Sequence, residues 1–338
     1  MDFELNEEQR LLVDSARAFA AAELAPHAAD WDRDHHFPVD VIKRAAEQGF
    51  LSLYISEEDG GLGLSRLTSS LIFEQLSAGC VATAAFMTIH NMASNMLACF
   101  GDETLKSQWL PRLISGELLA SYCLTEPDAG SDAARLRTRA RREGDEYVLD
   151  GSKCFISGAG SSDVLIVMAR TGEDGAKGIS CFLVPGDTPG VKYGRNELKM
   201  GWRSQPTRTI TFEGVRIPAG NRIGPEGQGF VYAMKGLDGG RLNIASCSLG
   251  AAQAALEQSL RYVEERKQFG KALSEFQALQ FKLADMFTDL TASRQMVRLA
   301  ASKLDQQHAE ATLYCAMAKR FATDHCFDLC NQALQLHG

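Results

Sequence analysis

The chain has 338 residues, of which 45% are hydrophobic and 23% charged, the balance of a folded globular protein with room for two or three domains. This composition excludes an intrinsically disordered chain, and the sequence contains no uncharged apolar run of about eighteen residues that would predict a membrane-spanning helix. The formal net charge of −8 argues against a nucleic-acid partner, because binding a phosphate backbone needs a basic surface.

The N-terminus and the cysteines indicate the compartment. The first ten residues, MDFELNEEQR, are acidic and lack the basic region and apolar run of a signal peptide. We therefore predict a bacterial cytoplasmic protein or, as the alternative, the mature form of a mitochondrial matrix protein. The nine cysteines include no CxxC pair, which favours small buried thiols in a reducing compartment. Cys326, Cys330 and His325 can share a helix face, but no second ligand pair accompanies them, so we predict no metal site.

The first third of the chain has the pattern of a helical domain. Asn6 is suited to cap a helix whose apolar residues recur about every 3.6 positions, and Pro26 ends it. Asp40 is predicted to cap a second helix that Gly49 closes. His90 lies in a nearly apolar helix and is predicted to be a core histidine rather than a ligand. Three further helices are expected here, over residues 65–79, 83–99 and 103–114.

From about residue 120 the pattern changes to short, β-branched segments separated by Gly, Pro or Asp. These segments include VLIVMA, ISCFLV, VKYG and TITFEGVRI. The pair Asp150-Gly151 is suited to a type I′ turn and predicts a hairpin within YVLDGSKCFI. Because no helices intervene, the block is not expected to be a parallel βαβ sheet.

After Ile223 the chain is predicted to be helical again. We expect helices over about 226–267, 276–305 and 309–336, and the first would run some 60 Å if its glycines leave it unbroken. The predicted fold class is therefore α+β, with a helical domain, a middle β-barrel or sheet domain and a C-terminal helical bundle. We place these domains at residues 1–119, 120–223 and 224–338.

The sequence has no GxSxG, HExxH, Walker loop or Rossmann fingerprint. Four other segments resemble motifs of the acyl-CoA dehydrogenase family. They are YCLTEPDAGSD from Tyr122, KCFIS from Lys153, ERKQFG from Glu265 with Gln277 beyond it, and QLHG from Gln335. The resemblance covers essentially the whole chain in the right order, and the family has the same α–β–α order of domains.

The resemblance implies FAD as the cofactor, held by the β domain rather than by a Rossmann turn. Backbone groups from Tyr122 to Thr125 would pair with the polar edge of the flavin, Phe155 would cover one flavin face, and Ser157 would lie near N5. Without the resemblance, Phe155 reads as a core aromatic in a strand. The implied cofactor-binding residues are Tyr122, Cys123, Leu124, Thr125, Gly130, Ser131, Phe155, Ile156, Ser157, Arg266, Gln268, Phe276, Gln277, Gln335 and Gly338.

The resemblance also implies that FAD lies at a subunit boundary. Arg266 would bind the pyrophosphate of the neighbouring subunit's cofactor, because a guanidinium pairs with two phosphate oxygens at once. Without the resemblance, Arg266 reads as a solvated helix-end cation. A homo-oligomer, as a dimer of dimers, is therefore expected, with an electron-transfer flavoprotein as the partner that accepts electrons.

For the substrate, the resemblance implies a contact from Ser131 to the pantetheine–phosphate arm of coenzyme A. It also implies contacts from a short loop, which consists of Asp238, Gly239, Gly240 and Arg241. Three segments look most like the branch of the family that oxidises isobutyryl-CoA in valine catabolism, namely IHNM, GWRSQPTR and NIASCSLGAA. The expected function is FAD-dependent α,β-dehydrogenation of a short branched acyl-CoA, by proton abstraction and hydride transfer to flavin N5.

Alternatives remain open at this stage. The alternative substrates are 2-methylbutyryl-CoA and a short straight-chain acyl-CoA. The alternative class of protein is a short paralogue that binds acyl-CoA or FAD without catalysis. The sequence does not determine the acyl chain, the electron acceptor or the oligomeric state.

No catalytic base is predicted within this chain, although removal of the weakly acidic α proton needs a positioned carboxylate. In most of the family the glutamate lies beyond the motif that here ends at Gly338. In a minority it directly precedes the arginine matched by Arg241, where this chain has Gly240. Asp238 is the fallback base. We therefore expect a C-terminally truncated and inactive chain, whose last helix has an apolar face that still needs a cover, formed by Phe321, Leu329, Ala333, Leu334 and Leu336.

Overall fold

The structure is a computed structural model, and it describes residues 4–338. Helices precede and follow a block of strands, which confirms the predicted α+β class. The leading helices are α1 (Glu7–Phe19), α2 (Ala28–Asp34), α3 (Val39–Glu47), α4 (Arg66–Gly79), α5 (Val81–Phe100) and α6 (Glu103–Ile114). The trailing helices are α7 (Gly229–Glu265), α8 (Gln277–Asp305) and α9 (Ala311–Leu336).

The predicted cap of α1 is present. The Asn6 side chain accepts a hydrogen bond from Gln9 N at 2.8 Å, and Gln9 Oε1 accepts one from Asn6 N at 3.2 Å. Together they form a capping box, which satisfies two backbone donors at the start of the helix. A π-helical turn, Ala20–Leu24, continues the helix almost to Pro26.

The cap predicted for the second helix is wrong. The helix α3 begins at Val39, directly after Pro38, so Asp40 lies inside its first turn. Proline is well suited to this place because its fixed φ and missing N–H cost nothing at a helix start. Asp40 instead forms an ion pair with Arg44 one turn later, at 3.1 Å.

The main sheet has eight strands. Its order is β6-β7-β3-β2-β4-β5-β8, and β1 lies off this path, paired with β4. The pairs are antiparallel except β1–β4 and a single residue pair between β2 and β4. The strands are β1 (Ala120–Cys123), β2 (Arg139–Glu143), β3 (Glu146–Ser157), β4 (Val164–Arg170), β5 (Ile179–Pro185), β6 (Val191–Tyr193), β7 (Thr207–Pro218) and β8 (Arg222–Ile223). A separate two-stranded hairpin consists of β9 (Lys267–Gln268) and β10 (Lys271–Ala272).

The hairpin turn predicted at Asp150-Gly151 is wrong. Strand β3 runs through both residues, and the turn between β2 and β3 lies at Gly144-Asp145. Gly151 lies at an irregularity in the β3–β7 pairing, where a Cβ atom would be only 2.6 Å from Thr138 Cα. The glycine therefore allows a close backbone approach within the sheet rather than a turn.

The chain divides into two compact units. The helical unit comprises the described residues up to Ala29, Ser65–Ala85 and Asp238–Gly338, and its core lies mainly between α7, α8 and α9. The sheet unit comprises Asp30–Leu64 and Phe86–Leu237. In the sheet unit, α5 and α6 pack against β1, β4 and β5, and a second apolar cluster lies among β3, β4, β5 and β7. The domain boundaries placed after residues 119 and 223 stay a prediction.

His90 is a core histidine, as predicted. Its Nδ1 accepts a hydrogen bond from Ala120 N at 3.1 Å, and its Nε2 lies 3.0 Å from the carbonyl oxygen of Leu113. Because Nδ1 accepts, the proton must be on Nε2, which then donates to Leu113. Burial lowers the pKa of His90 to about 4, so the ring is neutral at pH 7.

The apolar face of α9 is covered to a larger extent than predicted. Leu329, Ala333 and Leu336 are buried in the core of the helical unit. Leu334 is 70% exposed. The sequence pattern did not separate these positions because the neighbours that cover the face, α7 and α8, precede it by many residues.

Three further predictions concern cysteines, membranes and metals. All nine cysteines are free thiols, and seven of them are buried, as expected of small core residues. Within residues 4–338, no helix is both long enough and apolar enough to span a bilayer. The same residues contain no group of three or more His, Cys, Asp or Glu side chains that could hold a metal ion.

Candidate functional site

In the sheet unit, the first candidate segment is β1 and the residues directly after it. Strand β1 pairs with β4 through Ala120–Cys123, and no strand among residues 4–338 pairs with its other edge. The side-chain hydroxyl of Tyr122, in this strand, is buried and has no hydrogen-bond partner. Burial also raises the pKa of this hydroxyl, so it stays protonated. An unpaired strand edge and a buried unpartnered hydroxyl are polar groups that a ligand can satisfy.

The second candidate segment is a bulge in β3. The pairing of β3 with β7 is irregular between Lys153 and Ile156. Phe155, inside this irregularity, has a φ of 57°, which is unusual for a residue that is not glycine. Its side chain is 65% exposed, while Ile156 beside it is buried. The bulge therefore turns an aromatic ring out of the sheet, and the reading of Phe155 as a core aromatic is wrong.

A buried ion pair joins these two segments, and the sequence analysis missed it. Lys153 Nζ lies 2.7 Å from Glu126 Oε1 and donates a hydrogen bond to Leu124 O at 3.0 Å. The Glu126 carboxylate also accepts hydrogen bonds from the backbone amides of Arg137, at 2.6 Å, and Thr138, at 3.0 Å. Burial opposes its charge, but the Lys153 ammonium and these donors outweigh burial and hold the pKa of Glu126 below its usual range.

The signal for this pair was present in the sequence. Lys153 is a charged residue within a strand segment, and Glu126 lies in the motif that begins at Tyr122. Only Lys153 has apolar neighbours, because Glu126 stands in the polar run Thr125-Glu126-Pro127-Asp128. The sequence alone, however, does not show that Lys153 and Glu126, twenty-seven positions apart, meet in the same core.

The turn after Glu126 presents the remaining candidate residues of the sheet unit. Glu126 and Ala129 exchange two backbone hydrogen bonds of 3.1 Å, which close a tight turn. Gly130 and Ser131 follow and are exposed, and a Cβ atom on Gly130 would meet nothing within 4 Å. Ser157, at the end of β3, accepts a hydrogen bond at its carbonyl from Ser121 Oγ at 2.6 Å.

In the helical unit, a cavity of about 390 Å³ brings together three of the predicted cofactor residues. They are Arg266, at the end of α7, and Gln335 and Gly338, at the end of α9. The sequence analysis missed other residues that line the same cavity, chiefly Tyr262, Lys282 and His337. The rings of Tyr262 and His337 stack with centroids 4.3 Å apart.

The other three cofactor residues predicted for this unit do not line that cavity. Gln268 lies in the β9–β10 hairpin, and Phe276 and Gln277 lie at the start of α8. Phe276 forms a cation–π contact with Lys271, whose Nζ is 4.2 Å from the ring centroid. Leu273 and Leu279, on either side of Phe276 and Gln277 in the sequence, do line the cavity, so these two residues lie next to the lining without forming part of it.

The predicted substrate loop lies within α7 rather than in a loop. Asp238 Oδ1 accepts a hydrogen bond from Arg241 Nη1 at 2.5 Å, and its Oδ2 accepts one from Thr312 Oγ1 at 2.6 Å. Both carboxylate oxygens are thus engaged. A Cβ atom on Gly239 would lie 2.5 Å from Nη2 of Arg66, at the end of a flexible side chain that can move aside.

Family models match the chain in three consecutive parts. The acyl-CoA dehydrogenase N-terminal domain matches residues 6–117, the middle domain matches residues 121–215, and the C-terminal domain matches residues 227–338. These matches cover nearly the whole chain, so they do not support the expected C-terminal truncation.

Curated relatives agree with this assignment. Isobutyryl-CoA dehydrogenase from Bos taurus is 53% identical over 99% of the chain and 80% of the relative. The enzyme of the same name from Dictyostelium discoideum is 51% identical over 99% of the chain and 80% of the relative. The short-chain specific acyl-CoA dehydrogenase from Rattus norvegicus is 39% identical over 99% of the chain and 82% of the relative.

Solved structures of similar proteins have the same fold. Butyryl-CoA dehydrogenase from Megasphaera elsdenii has a TM-score of 0.96 at 36% identity, over all of this chain and 90% of its own. A chain from a study of the electron transferring flavoprotein of Acidaminococcus fermentans has a TM-score of 0.97 at 37% identity, over 100% of this chain and 89% of its own. A structure described as PigA with FAD and proline has a TM-score of 0.96 at 32% identity, over 100% of this chain and 89% of its own.

Proposed function

The chain belongs to the acyl-CoA dehydrogenase family, and we propose that it dehydrogenates a short branched acyl-CoA, isobutyryl-CoA first. The family consists of oxidoreductases that act on CH–CH bonds. The observation that carries the choice of substrate is the 53% identity with the bovine isobutyryl-CoA dehydrogenase along 99% of the chain. The rat short-chain enzyme, by contrast, is 39% identical over a comparable length. Degradation of valine is the corresponding proposed pathway.

Acyl-CoA dehydrogenases are FAD-containing flavoproteins, and bound FAD supplies the acceptor for the hydride. The sheet unit has groups that fit a flavin, namely the unpaired edge of β1, the unpartnered hydroxyl of Tyr122 and the exposed ring of Phe155. We propose that Phe155 covers one face of the flavin. The residues proposed to hold the ring and its neighbouring atoms are Tyr122, Cys123, Leu124, Thr125, Gly130, Ser131, Ile156 and Ser157.

The helical unit is proposed to bind the nucleotide part of an FAD that belongs to a second subunit. Arg266 supplies a guanidinium at the cavity of about 390 Å³, where a pyrophosphate would find a bidentate donor. Gln335 and Gly338 line the same cavity and are assigned to the adenosine end. Gln268, Phe276 and Gln277 are assigned to the same cofactor from the adjacent hairpin and helix start. This arrangement requires a homo-oligomer, which we propose is a dimer of dimers.

The chain's own residues bind and orient the acyl-CoA. Ser131, exposed on its turn, is proposed to contact the pantetheine–phosphate arm. The segment Asp238–Arg241 is proposed to contact the thioester end. Asp238 is not proposed as the base, because Arg241 and Thr312 already engage both of its carboxylate oxygens. Gly240 has no side chain to take a proton, so the base stays unassigned in this chain.

An electron-transfer flavoprotein is the proposed electron acceptor. The support is the similarity to a chain from the Acidaminococcus study of such a flavoprotein. For the compartment we propose the bacterial cytoplasm or, as the alternative, the mitochondrial matrix. The alternative is supported by the two isobutyryl-CoA dehydrogenases described above, which are mitochondrial.

Anaerobic titration of the FAD-bound protein tests the proposed reaction. Isobutyryl-CoA, 2-methylbutyryl-CoA and butyryl-CoA are added separately, and loss of the oxidised flavin absorbance is followed. We expect isobutyryl-CoA to give the fastest bleaching at saturation. Faster bleaching by butyryl-CoA would assign the chain to straight-chain substrates instead.

The same titration separates an enzyme from a binding protein. Acyl-CoA that binds while the flavin stays oxidised, at equilibrium and over hours, identifies the non-catalytic paralogue. A folded protein that binds FMN but not FAD would contradict the assignment of Arg266 to a pyrophosphate. Acid release followed by chromatography identifies the flavin.

A further inference from the structure

The ion pair between Lys153 and Glu126 is buried to an extent that stability alone does not explain. The Lys153 side chain has no exposed surface, and 7% of the Glu126 side chain is exposed. Removing two charges from water costs free energy that their attraction often only just repays. A pair of apolar side chains of similar volume would commonly be as stable at such a place. The pair therefore calls for a role besides packing.

Its contacts reach the two segments to which the proposed function assigns the flavin. Lys153 donates to the carbonyl of Leu124, and Cys154 N donates to the carbonyl of Thr125 at 2.9 Å. The residue after Cys154 is Phe155, in its left-handed conformation. The strand edge and the outward-facing aromatic ring are thus fastened to each other through this pair and its neighbouring backbone bond.

The carboxylate fastens a third segment. Glu126 accepts hydrogen bonds from the backbone amides of Arg137 and Thr138, which directly precede β2. The turn that carries Gly130 and Ser131 lies between Glu126 and these residues, so both ends of the segment are held by one side chain. Loss of the carboxylate would leave two buried or part-buried amide donors without their acceptor, and loss of the ammonium would leave an unpaired buried carboxylate.

We propose that Lys153 and Glu126 are positioning residues that hold the flavin-binding segments in register while each cancels the effect of the other's charge on the electrostatic potential at the flavin. This inference rests on the proposed function, which places FAD at those segments. Two-electron reduction adds negative charge to the flavin. The reduced ring is therefore more negative than the oxidised ring unless it takes up two protons. A single unpaired charge in a low-dielectric surrounding therefore changes the reduction potential, whereas a neutralised pair changes it little.

The test compares three variants of the FAD-bound oligomer: Lys153→Met, Glu126→Gln and the double variant. The midpoint potential is measured by equilibration with a reference dye, and FAD affinity by flavin fluorescence. We expect Lys153→Met to lower the potential, because the carboxylate is left alone, and Glu126→Gln to raise it. Each single variant should weaken FAD binding about tenfold or more, and the double variant should bind FAD more tightly than either single variant.

A matched control comes from an exposed pair in the same sheet. Lys192 and Glu213 form an ion pair at 2.5 Å, with side chains that are 62% and 56% exposed. Lys192→Met and Glu213→Gln should leave both the potential and the FAD affinity at wild-type values, because solvent screens exposed charges.

The midpoint potential should shift in opposite directions in the two single variants, which a purely structural role would not produce. Shifts in the same direction, or no shift, overturn the proposal. If neither single variant retains FAD, the double variant decides the question. FAD binding by the double variant supports the pairing, and a double variant that does not bind FAD overturns the proposal. Bleaching of the wild-type flavin by acyl-CoA does not depend on these variants, so the proposed function can stand if this inference fails.

Discussion

At the scale of single residues, buried polar side chains connect the elements of the sheet unit. His90 bridges Leu113, at the end of α6, and Ala120, at the start of β1. Asn91 next to it accepts from Leu53 N at 2.9 Å and donates to the carbonyl of Phe50 at 2.9 Å. Each of these side chains satisfies backbone groups that would otherwise be buried without partners. His90 holds the start of the strand that carries the candidate flavin contacts against α5 and α6, and Asn91 holds the segment after α3 against α5.

The buried histidine predicts a pH dependence of stability. The folded-state pKa of His90 is lowered from 6.5 to about 4, so the unfolded chain binds this proton more readily. Its contribution to stability is complete above about pH 6.5 and is lost as the pH falls to about 4, which amounts to roughly 3 kcal/mol. Urea unfolding followed by circular dichroism between pH 7 and pH 4 should show this loss in the wild type.

Two variants check the assignment to this residue. His90→Gln should lack that part of the pH dependence, because glutamine does not titrate. His27→Gln, at an exposed position, should retain the wild-type dependence. An unchanged pH profile in His90→Gln would contradict a neutral buried ring.

The engaged carboxylate of Asp238 predicts that this residue is not the catalytic base. Gly240 has no side chain, and Asp238 is held by Arg241 and Thr312, so neither position offers a free base. We therefore expect Asp238→Asn to leave the rate of anaerobic flavin bleaching by isobutyryl-CoA unchanged at saturating substrate. Loss of a general base lowers a rate by about 10²–10⁴, so a loss of that size in Asp238→Asn would make Asp238 the base.

At the scale of elements, small residues allow α4 and α7 to approach closely in the helical unit. A Cβ atom on Gly250 would lie 2.0 Å from the backbone oxygen of Glu74 and 2.0 Å from Ser77 Oγ. Ser77 Oγ in turn donates to Glu74 O at 3.0 Å. The backbones of the two helices therefore leave no room for a methyl group at this crossing.

This crossing reverses the usual effect of replacing glycine in a helix. Ala normally favours a helix over Gly by about 1 kcal/mol. We expect Gly250→Ala instead to lower the free energy of unfolding by at least about 1–3 kcal/mol, because the helices must move apart. Gly220→Ala, where a Cβ atom would meet nothing within 4 Å, should stay within about 0.5 kcal/mol of the wild type. A stabilised Gly250→Ala would show that the helices separate freely.

At the scale of the whole molecule, the proposed FAD site needs more than one copy of the chain. Arg266 and the candidate flavin contacts around Phe155 lie in different units, and the proposed function assigns Arg266 to a neighbouring subunit's cofactor. FAD content should therefore follow the oligomer. Size-exclusion chromatography with light scattering, over a dilution series, should show FAD released as the oligomer dissociates.

The same assignment predicts the effect of removing the guanidinium. Arg266→Ala should weaken FAD binding by roughly 2–5 kcal/mol if its charged partner is left buried. Arg261→Ala is the matched control, because Arg261 is exposed on the same helix and does not line the cavity. A monomer that holds FAD tightly, or equal effects of the two variants, would contradict the assignment across subunits.

The sequence by itself determined the α–β–α order, the core position of His90 and the motifs that identify the family. These are local properties, because helical and strand periodicity, capping and motif spacing are set by residues close together in the chain. The family resemblance assigned Phe155 to a flavin face, which stays a prediction; the residue pattern alone favoured a core position, whereas the ring is exposed.

The tertiary structure alone decided the features that depend on distant partners. The sequence predicts a turn at Gly151, but Thr138 lies against this glycine within the sheet, and the hairpin turn is at Gly144 instead. The bulge that exposes Phe155 follows from the register between β3 and β7, which begins fifty positions later. Lys153 and Glu126 meet only because the sheet places their segments side by side. Such contacts depend on which elements are neighbours in space, and local patterns carry no information about that choice.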